Sequence, residues 1–190
     1  MRRKDREVTD ISRINELIKS CKVCRMAMCD GNKPYMVALN FGYTEENGVF
    51  TFYFHSAKEG RKLDILKVNP AVCLELDWSG DVVESNNPCA YGYQFASIIA
   101  EGNVEFLESH EDKVYALNRL MLHMTGKEFD FAPQMTQGVC VYKVTADPYE
   151  KCAHFSSAVS AIKCMGLGAR ESVPDLGTVK AYLQQNGFVL

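Results

Sequence analysis

No run of apolar residues in this 190-residue chain approaches the roughly 20 that a helix needs to cross a bilayer, so no membrane span is expected. The first residues, Met-Arg-Arg-Lys-Asp-Arg-Glu, have the positive charge of a secretory leader but not the apolar stretch that must follow it. Neither sign of charge is in excess: 21 Lys and Arg against 24 Asp and Glu leave a net charge of −3, with both signs spread along the chain. That balance gives no electrostatic case for a nucleic-acid partner. Of the eight cysteines, Cys21, Cys24 and Cys29 are clustered as C-x2-C-x4-C, and no second pair at zinc spacing accompanies them. Cys73 and Cys140 fall in apolar strand-like runs, where cysteine acts as a small hydrophobe. The expectation is a soluble, cytoplasmic protein with reduced thiols and no metal. There is no internal repeat, and no nucleophile–base pair that would force an enzymatic reading.

At 47% hydrophobic, the chain is long enough for one well-packed domain. Asp10 stands where it can cap a helix carrying Ile11, Ile14, Leu17 and Ile18. Residues 23–29 predict a strand that ends at Asp30-Gly31, residues 34–43 a second, and residues 49–54 a third, with a hairpin turn over 45–48. A helix is predicted over 58–68, stopped by Asn69-Pro70. Residues 72–78 alternate apolar and polar, 79–88 read as a loop, and 91–107 as one long strand with Gly102 at a bulge or bend. Ser109 caps a helix with apolar positions Val114, Leu117, Met121 and Met124, closing at Gly126. His110 and His123 lie too far apart on it to form a paired ligand site. Residues 139–145 are the last clear strand. From about 153 the chain is richer in Ser, Ala and Gly, with one helix over 176–185. Six mostly antiparallel strands with peripheral helices imply a mainly β protein, a barrel or strongly curved sheet.

The chemistry gathers in residues 54–62, Phe-His-Ser-Ala-Lys-Glu-Gly-Arg-Lys. Ser56 and Glu59 stand in the S-x-x-E relation of a capping box. Lys58, Arg61 and Lys62 fall on one face of the first turn. Cations there oppose the helix dipole by about 0.3–1 kcal/mol each. A bound anion would reverse that, held by backbone N–H groups, Ser56 and the side-chain charges, with phosphate the first candidate. The plainer alternative is a solvated face offset by Glu59 and Asp64, with His55 a surface histidine. The residues alone leave both open.

Four segments occur in order and at compatible spacing: the N-terminal residues 1–7, Lys33-Pro-Tyr-Met-Val-Ala-Leu-Asn-Phe-Gly-Tyr43, His55-Ser-Ala-Lys-Glu-Gly-Arg-Lys-Leu-Asp64 and Asn69-Pro-Ala-Val-Cys-Leu-Glu75. Together they resemble the flavin-binding split-barrel proteins related to pyridoxamine 5′-phosphate oxidase, and within these the nitroimidazole-resistance-like branch, over residues 1–152. The resemblance implies a six-stranded antiparallel split β-barrel over 1–152; residues 153–190 match nothing in it and are expected as an extension of unknown role packed on the barrel or the partner. It also implies a homodimer with FMN at the subunit interface. Position by position, Arg61 and Lys62 would hold the FMN phosphate, with His55 and Ser56 beside it and Lys58 in the same basic cluster. The backbone of Val37, Ala38, Leu39 and Asn40 would follow the isoalloxazine edge, and Ser97 would contact the flavin. His55 matches the histidine near flavin and substrate, and is the catalytic candidate.

Ala38 stands where many relatives have proline, and the C-terminal arginine and histidine that grip a pyridoxal substrate are absent, so vitamin B6 oxidation is not expected. The implied function is an FMN-dependent oxidoreductase acting on a small electron-poor substrate such as a nitroaromatic. Its rivals are a flavin-binding sensor, store or electron-transfer protein without turnover, and a split barrel holding haem or a deazaflavin in the same cleft. Aromatic residues such as Tyr53, Trp78, Tyr91 and Tyr93 suggest apolar surface for a partner subunit.

Overall fold

In the computed structural model, which describes residues 7–146 and the backbone of Ser156–Ala161, helix α1 (Ile11–Ser20) opens the fold. Asp10 accepts a hydrogen bond from Ser12 N at 2.8 Å, and Ile14, Leu17 and Ile18 form the buried face. Strands β1 (Cys24–Asp30) and β2 (Lys33–Leu39) form a hairpin, in register from Cys24–Leu39 to Asp30–Lys33, around a tight turn with Gly31 at φ 59°. Along β1, Cys24, Met26 and Met28 are buried while Cys29 is exposed on the opposite face. The C-x2-C-x4-C cysteines therefore do not converge. Among the described residues, no three His, Cys, Asp or Glu side chains gather as a metal site would require.

The single strand expected over 34–43 is two. β2 ends at Leu39, Asn40 Nδ2 donates to Lys22 O at 2.9 Å, and Phe41 is fully buried. Strand β3 (Gly42–Glu46) then pairs with β4 (Val49–Ser56) across Asn47 (φ 54°) and Gly48 (φ 83°). Left-handed backbone at both turn residues gives the twist that suits adjoining strands, as in a type I′ turn. Helix α2 (Arg61–Val68) follows, ended at Asn69. Strand β5 (Ala71–Val83) runs on through part of the expected loop, and a 3-10 turn (Pro88–Ala90) precedes β6 (Gly92–Leu107). Helix α3 (His110–Thr125) is capped by Ser109, whose Oγ accepts from Asp112 N at 3.0 Å, and closed by Gly126 at φ 74°. Its fully buried residues are Ala116, Leu117 and Leu120, so of the expected stripe only Leu117 is among them. A short α4 (Pro133–Gln137), β7 (Cys140–Ala146) and β8 (Ser156–Ala161) complete the described elements.

The strands lie in the order β2-β1-β5-β6-β7-β4-β3, with β8 paired to β6. Eight strands among the described residues replace the expected six, through the division at Asn40-Phe41 and the addition of β8. The inner faces of β1 to β7 supply one core, in which Met26, Phe52, Leu74, Ile98 and Tyr142 join Ile14 and Ile18 of α1 and Leu63 and Leu66 of α2. Adjacent residues of α2 reach Tyr35 on β2 and Tyr142 on β7. In a flat sheet those strands would stand four spacings apart, about 19 Å, so the sheet curls beneath the helix. Pairing of β6 with β7 is unbroken from Gly102–Ala146 to Leu107–Val141. A Cβ at Gly102 would lie 2.5 Å from Thr145 O, so the glycine permits close approach of the two strands.

Of the described residues, those up to Asp81 and from Gln94 to Val159 belong to one compact unit, and Val82–Tyr93 to a second. The helix expected over 176–185 lies outside the described residues. No helix among the described residues is long and apolar enough to cross a membrane.

Candidate functional site

Strand β4 carries His55 and Ser56 to the rim. Phe52 and Phe54 are buried, so alternation turns Ser56 toward the core side and His55 outward, opposite Val141 of β7. The capping box expected of Ser56 and Glu59 does not form. Ser56 is still in the strand and donates its hydroxyl to Ala57 O at 2.9 Å. The chain then turns through Gly60 at φ 138°, a conformation glycine adopts without steric cost, and α2 starts at Arg61 rather than Lys58. No side chain among the described residues caps this helix. Its first amide groups thus lack the side-chain acceptor most helices have, and Arg61 and Lys62 sit in the same turn. Lys58 is exposed in the link before the helix.

Arg61 is held from the β1–β2 hairpin. Its Nη2 donates to Asp30 Oδ2 at 3.0 Å and its Nε to the same oxygen at 3.3 Å, while the guanidinium lies 4.5 Å from the centre of the Tyr35 ring. The offsetting charge expected from Glu59 and Asp64 comes from Asp30 instead. Lys62 turns the other way, with Nζ 5.6 Å from the centre of the Tyr142 ring. Among the described residues it makes no ion pair, and desolvation lowers its pKa from the ordinary lysine value.

Tyr142 is fully buried between Phe54 and Phe106, with ring centres 5.6 and 5.9 Å away. Among the described residues its hydroxyl makes no hydrogen bond, the nearby Ser56 hydroxyl being given to Ala57 O. Burial raises its pKa far above that of an ordinary phenol. His55 has its pKa lowered, first by desolvation and then by the charge of Lys62. Both effects favour the neutral imidazole.

His55, Ser56, Arg61 and Lys62 are thus brought together. The other expected contacts lie further along the sheet. On β2, Val37 and Leu39 pack against the core, while Ala38 and Asn40 are exposed. Ala38 stands opposite Arg25, which pairs with Glu75 at 2.9 Å and with Asp77. Ser97 is half-buried on β6, on the face opposite to Ile98 and Ala100. Among the described residues no hydrogen bond or ion pair joins these positions to the α2 cluster. Tyr35 is the link from β2. Sequence reasoning missed Asp30, Tyr35 and Tyr142, which read as a turn residue and two strand aromatics. Their roles come from contacts across 26 or more positions of chain, where no local pattern points.

A second basic group lies at the end of α3. His123 Nε2 donates to Cys21 O at 2.7 Å, and its ring centre is 4.6 Å from that of Phe41 and 5.3 Å from that of Tyr43. Lys22 Nζ donates to His123 O at 2.7 Å, and Arg119 pairs with Glu128.

The chain is similar to known proteins in sequence and in fold. The sequence profile described as pyridoxamine 5′-phosphate oxidase matches residues 10–149. A solved structure described as a 5-nitroimidazole antibiotic resistance protein from Bacteroides thetaiotaomicron is 31% identical, with a TM-score of 0.67 over 78% of this chain and 85% of that one. An FAD-binding protein from Mesorhizobium loti is 18% identical (TM-score 0.54; 78% and 96% covered), and the FAD and haem binding protein from Mycobacterium smegmatis 11% identical (TM-score 0.62; 93% and 96% covered). At those identities the likeness is one of fold. No curated protein matches the sequence. The curled antiparallel sheet with its peripheral helices, and a profile match over most of the chain, place this protein in the pyridoxamine 5′-phosphate oxidase family, with the split-barrel fold.

Proposed function

We propose that this chain is a flavoprotein that holds FMN by its phosphate at the start of α2 and reduces a small electron-poor substrate, a nitroaromatic foremost. One observation carries the reading: an α2 without a side-chain cap whose first turn bears Arg61, still with free donors, and Lys62, with no ion pair among the described residues. Such a helix start attracts an anion through its amide groups and its dipole, and the two cations then stabilise rather than oppose it. The residues fit a phosphate monoester: two charges of opposite sign to the ligand, the Ser56 hydroxyl nearby and Lys58 within the same loop. The resistance protein from Bacteroides and the FAD-binding proteins among the structural neighbours lend the reading support.

The flavin supplies the redox chemistry when bound, and the protein supplies position and charge. Arg61 and Lys62 anchor the phosphate through charge-assisted hydrogen bonds. The backbone of Val37, Ala38, Leu39 and Asn40 would border the ring system, and Ser97 would complete the contacts. His55, its pKa lowered by burial and by Lys62, would orient the substrate by hydrogen bonding and pass on a proton as electrons arrive. The working unit is a homodimer. The face of β2, β1 and β5 opposite to the core carries the row Met36, Ala27 and Cys73, with Met36 58% exposed, an apolar strip suited to a second copy. Tyr53, one of the aromatics expected at such a surface, is instead buried against α3 at 7% exposure.

The visible spectrum and mass of whatever co-purifies with the protein separate a flavin from haem or a deazaflavin. FMN titration then tests the anchor. Arg61→Ala should weaken binding roughly 10- to 100-fold, the loss of a hydrogen bond to a charged group; unchanged affinity would sink the assignment. Stopped-flow reduction by a nicotinamide donor, followed by re-oxidation with a nitroimidazole, tests turnover. Failure of both steps would leave a flavin-binding protein without that activity. Scattering that found a monomer at micromolar concentration would remove the shared site.

A further inference from the structure

We infer that Asp30 and Tyr35 are positioning residues that aim one edge of the Arg61 guanidinium at the ligand phosphate; this rests on the phosphate reading above. A guanidinium has five N–H donors in a rigid plane. Asp30 Oδ2 takes the side-on edge, formed by Nε (3.3 Å) and Nη2 (3.0 Å). Tyr35 covers one face, 4.5 Å away. What is left is the end-on edge, one N–H of Nη1 and the second of Nη2, together with the outer N–H of Nη1. The two end-on groups are parallel donors spaced for two oxygens of one phosphate.

The two supports stand on one rigid element. Asp30 is the last residue of β1 and pairs with Lys33 across the Gly31 turn. Tyr35 follows on β2 and packs partly against the core. An arginine at the start of α2 is thereby oriented by a hairpin about 30 positions earlier in the chain. Both partners of the ion pair are exposed, 57% and 46% by side chain. At that exposure the pair adds little to stability, so orienting Arg61 is the effect left to account for it.

Asp30 also brings a negative charge toward an anion, an opposing effect. Its direct contact with Arg61 largely cancels that charge at the distance of the ligand, whereas a free arginine must lose its rotamer freedom on binding. The two effects have opposite signs in one measurement. FMN and riboflavin differ only in the phosphate, so the ratio of their affinities isolates it. Asp30→Asn should lower FMN affinity roughly two- to tenfold, the cost of ordering one rotamer-rich side chain, and leave riboflavin affinity unchanged. Asp30→Glu should restore most of the ratio, Tyr35→Phe should keep it, and Tyr35→Leu should lower it. A merely structural role would move both ligands together.

An unchanged ratio in Asp30→Asn would overturn the inference, and a raised one would mean that Asp30 competes with the phosphate. Arg61→Ala separates the two levels. If it collapses the ratio while Asp30→Asn does not, positioning alone fails; if Arg61→Ala leaves the ratio intact, the phosphate reading fails and the inference with it.

Discussion

At the end of α3, His123 donates to Cys21 O, Lys22 donates to His123 O and Arg119 pairs with Glu128. At the start of α2, His55 and Lys62 make no hydrogen bond or ion pair among the described residues, and Arg61 commits one edge only. Both regions hold a histidine, a lysine and an arginine near aromatic side chains, Tyr35 and Tyr142 at α2 and Phe41, Tyr43 and Tyr115 at α3. In both, burial beside a lysine lowers the histidine pKa. The difference is the fate of the donors. Backbone carbonyls take the His123 and Lys22 donors at α3 and Glu128 takes one from Arg119, whose Nε is buried and without a partner among the described residues, so that group is part of the frame. At α2 the unused donors of His55 and Arg61 are on exposed side chains, which makes that group a place for a ligand. Residue type alone does not tell a site from a joint; unused hydrogen-bonding capacity that faces solvent does.

The comparison breaks if substitutions at α3 change ligand binding, or if those at α2 change folding. The largest effect expected is at Gly42, where a Cβ would lie 2.3 Å from Leu120 N of α3. Gly42→Ala should cost about 3 kcal/mol of stability by overpacking, seen in chemical denaturation, while the FMN-to-riboflavin affinity ratio stays as it was. Lys62→Ala comes next. Roughly tenfold weaker FMN binding is expected from a lost charge-assisted contact, with the melting temperature of the ligand-free protein almost unmoved.

A third test uses pH. His55 and His123 have folded-state pKa values below the ordinary value of about 6.5. The unfolded chain therefore binds more protons just below that pH. Stability should be complete above it and fall as pH drops through the lowered folded values. His123→Gln and His55→Gln should each flatten the thermal-stability profile just below about pH 6.5. A profile unchanged in both would remove these histidines from the acid sensitivity. The smallest stability change belongs to His55→Gln, within about 0.5 kcal/mol for an exposed position, yet nitroaromatic reduction should slow in it. A variant with full turnover would remove His55 from the chemistry.

Much of the frame was legible because its signals are local. Asp10, the Asn47-Gly48 turn, Ser109 and Gly126 each act within a few residues, and each stands where the pattern places it. The segment 34–43 misled because its division is imposed from a distance. Asn40 bonds Lys22 O, and Gly42 lies against the α3 backbone. The S-x-x-E pattern at Ser56 was outweighed by Gly60, whose backbone turns the chain before the helix can begin. At the site, Arg61 and Lys62 were visible as charges, but Asp30, Tyr35 and Tyr142 were not visible as their partners. A cluster of cations can be read from one segment; what holds each in place belongs to other strands.

The pairing of β4 with β7 has a consequence for the order in which the protein forms. The β1–β2 and β3–β4 hairpins join neighbouring segments and can close within microseconds. Thr51 and Thr145, whose hydroxyls meet at 3.3 Å, are 94 positions apart. Contacts of such separation make mixed and β-rich domains fold in milliseconds to seconds. Tyr142 reaches Lys62 only once β7 has come down beside β4. The basic rim is therefore assembled by the longest-range strand pairing among the described residues, and the return of anion binding during refolding should mark that late event rather than the early hairpins.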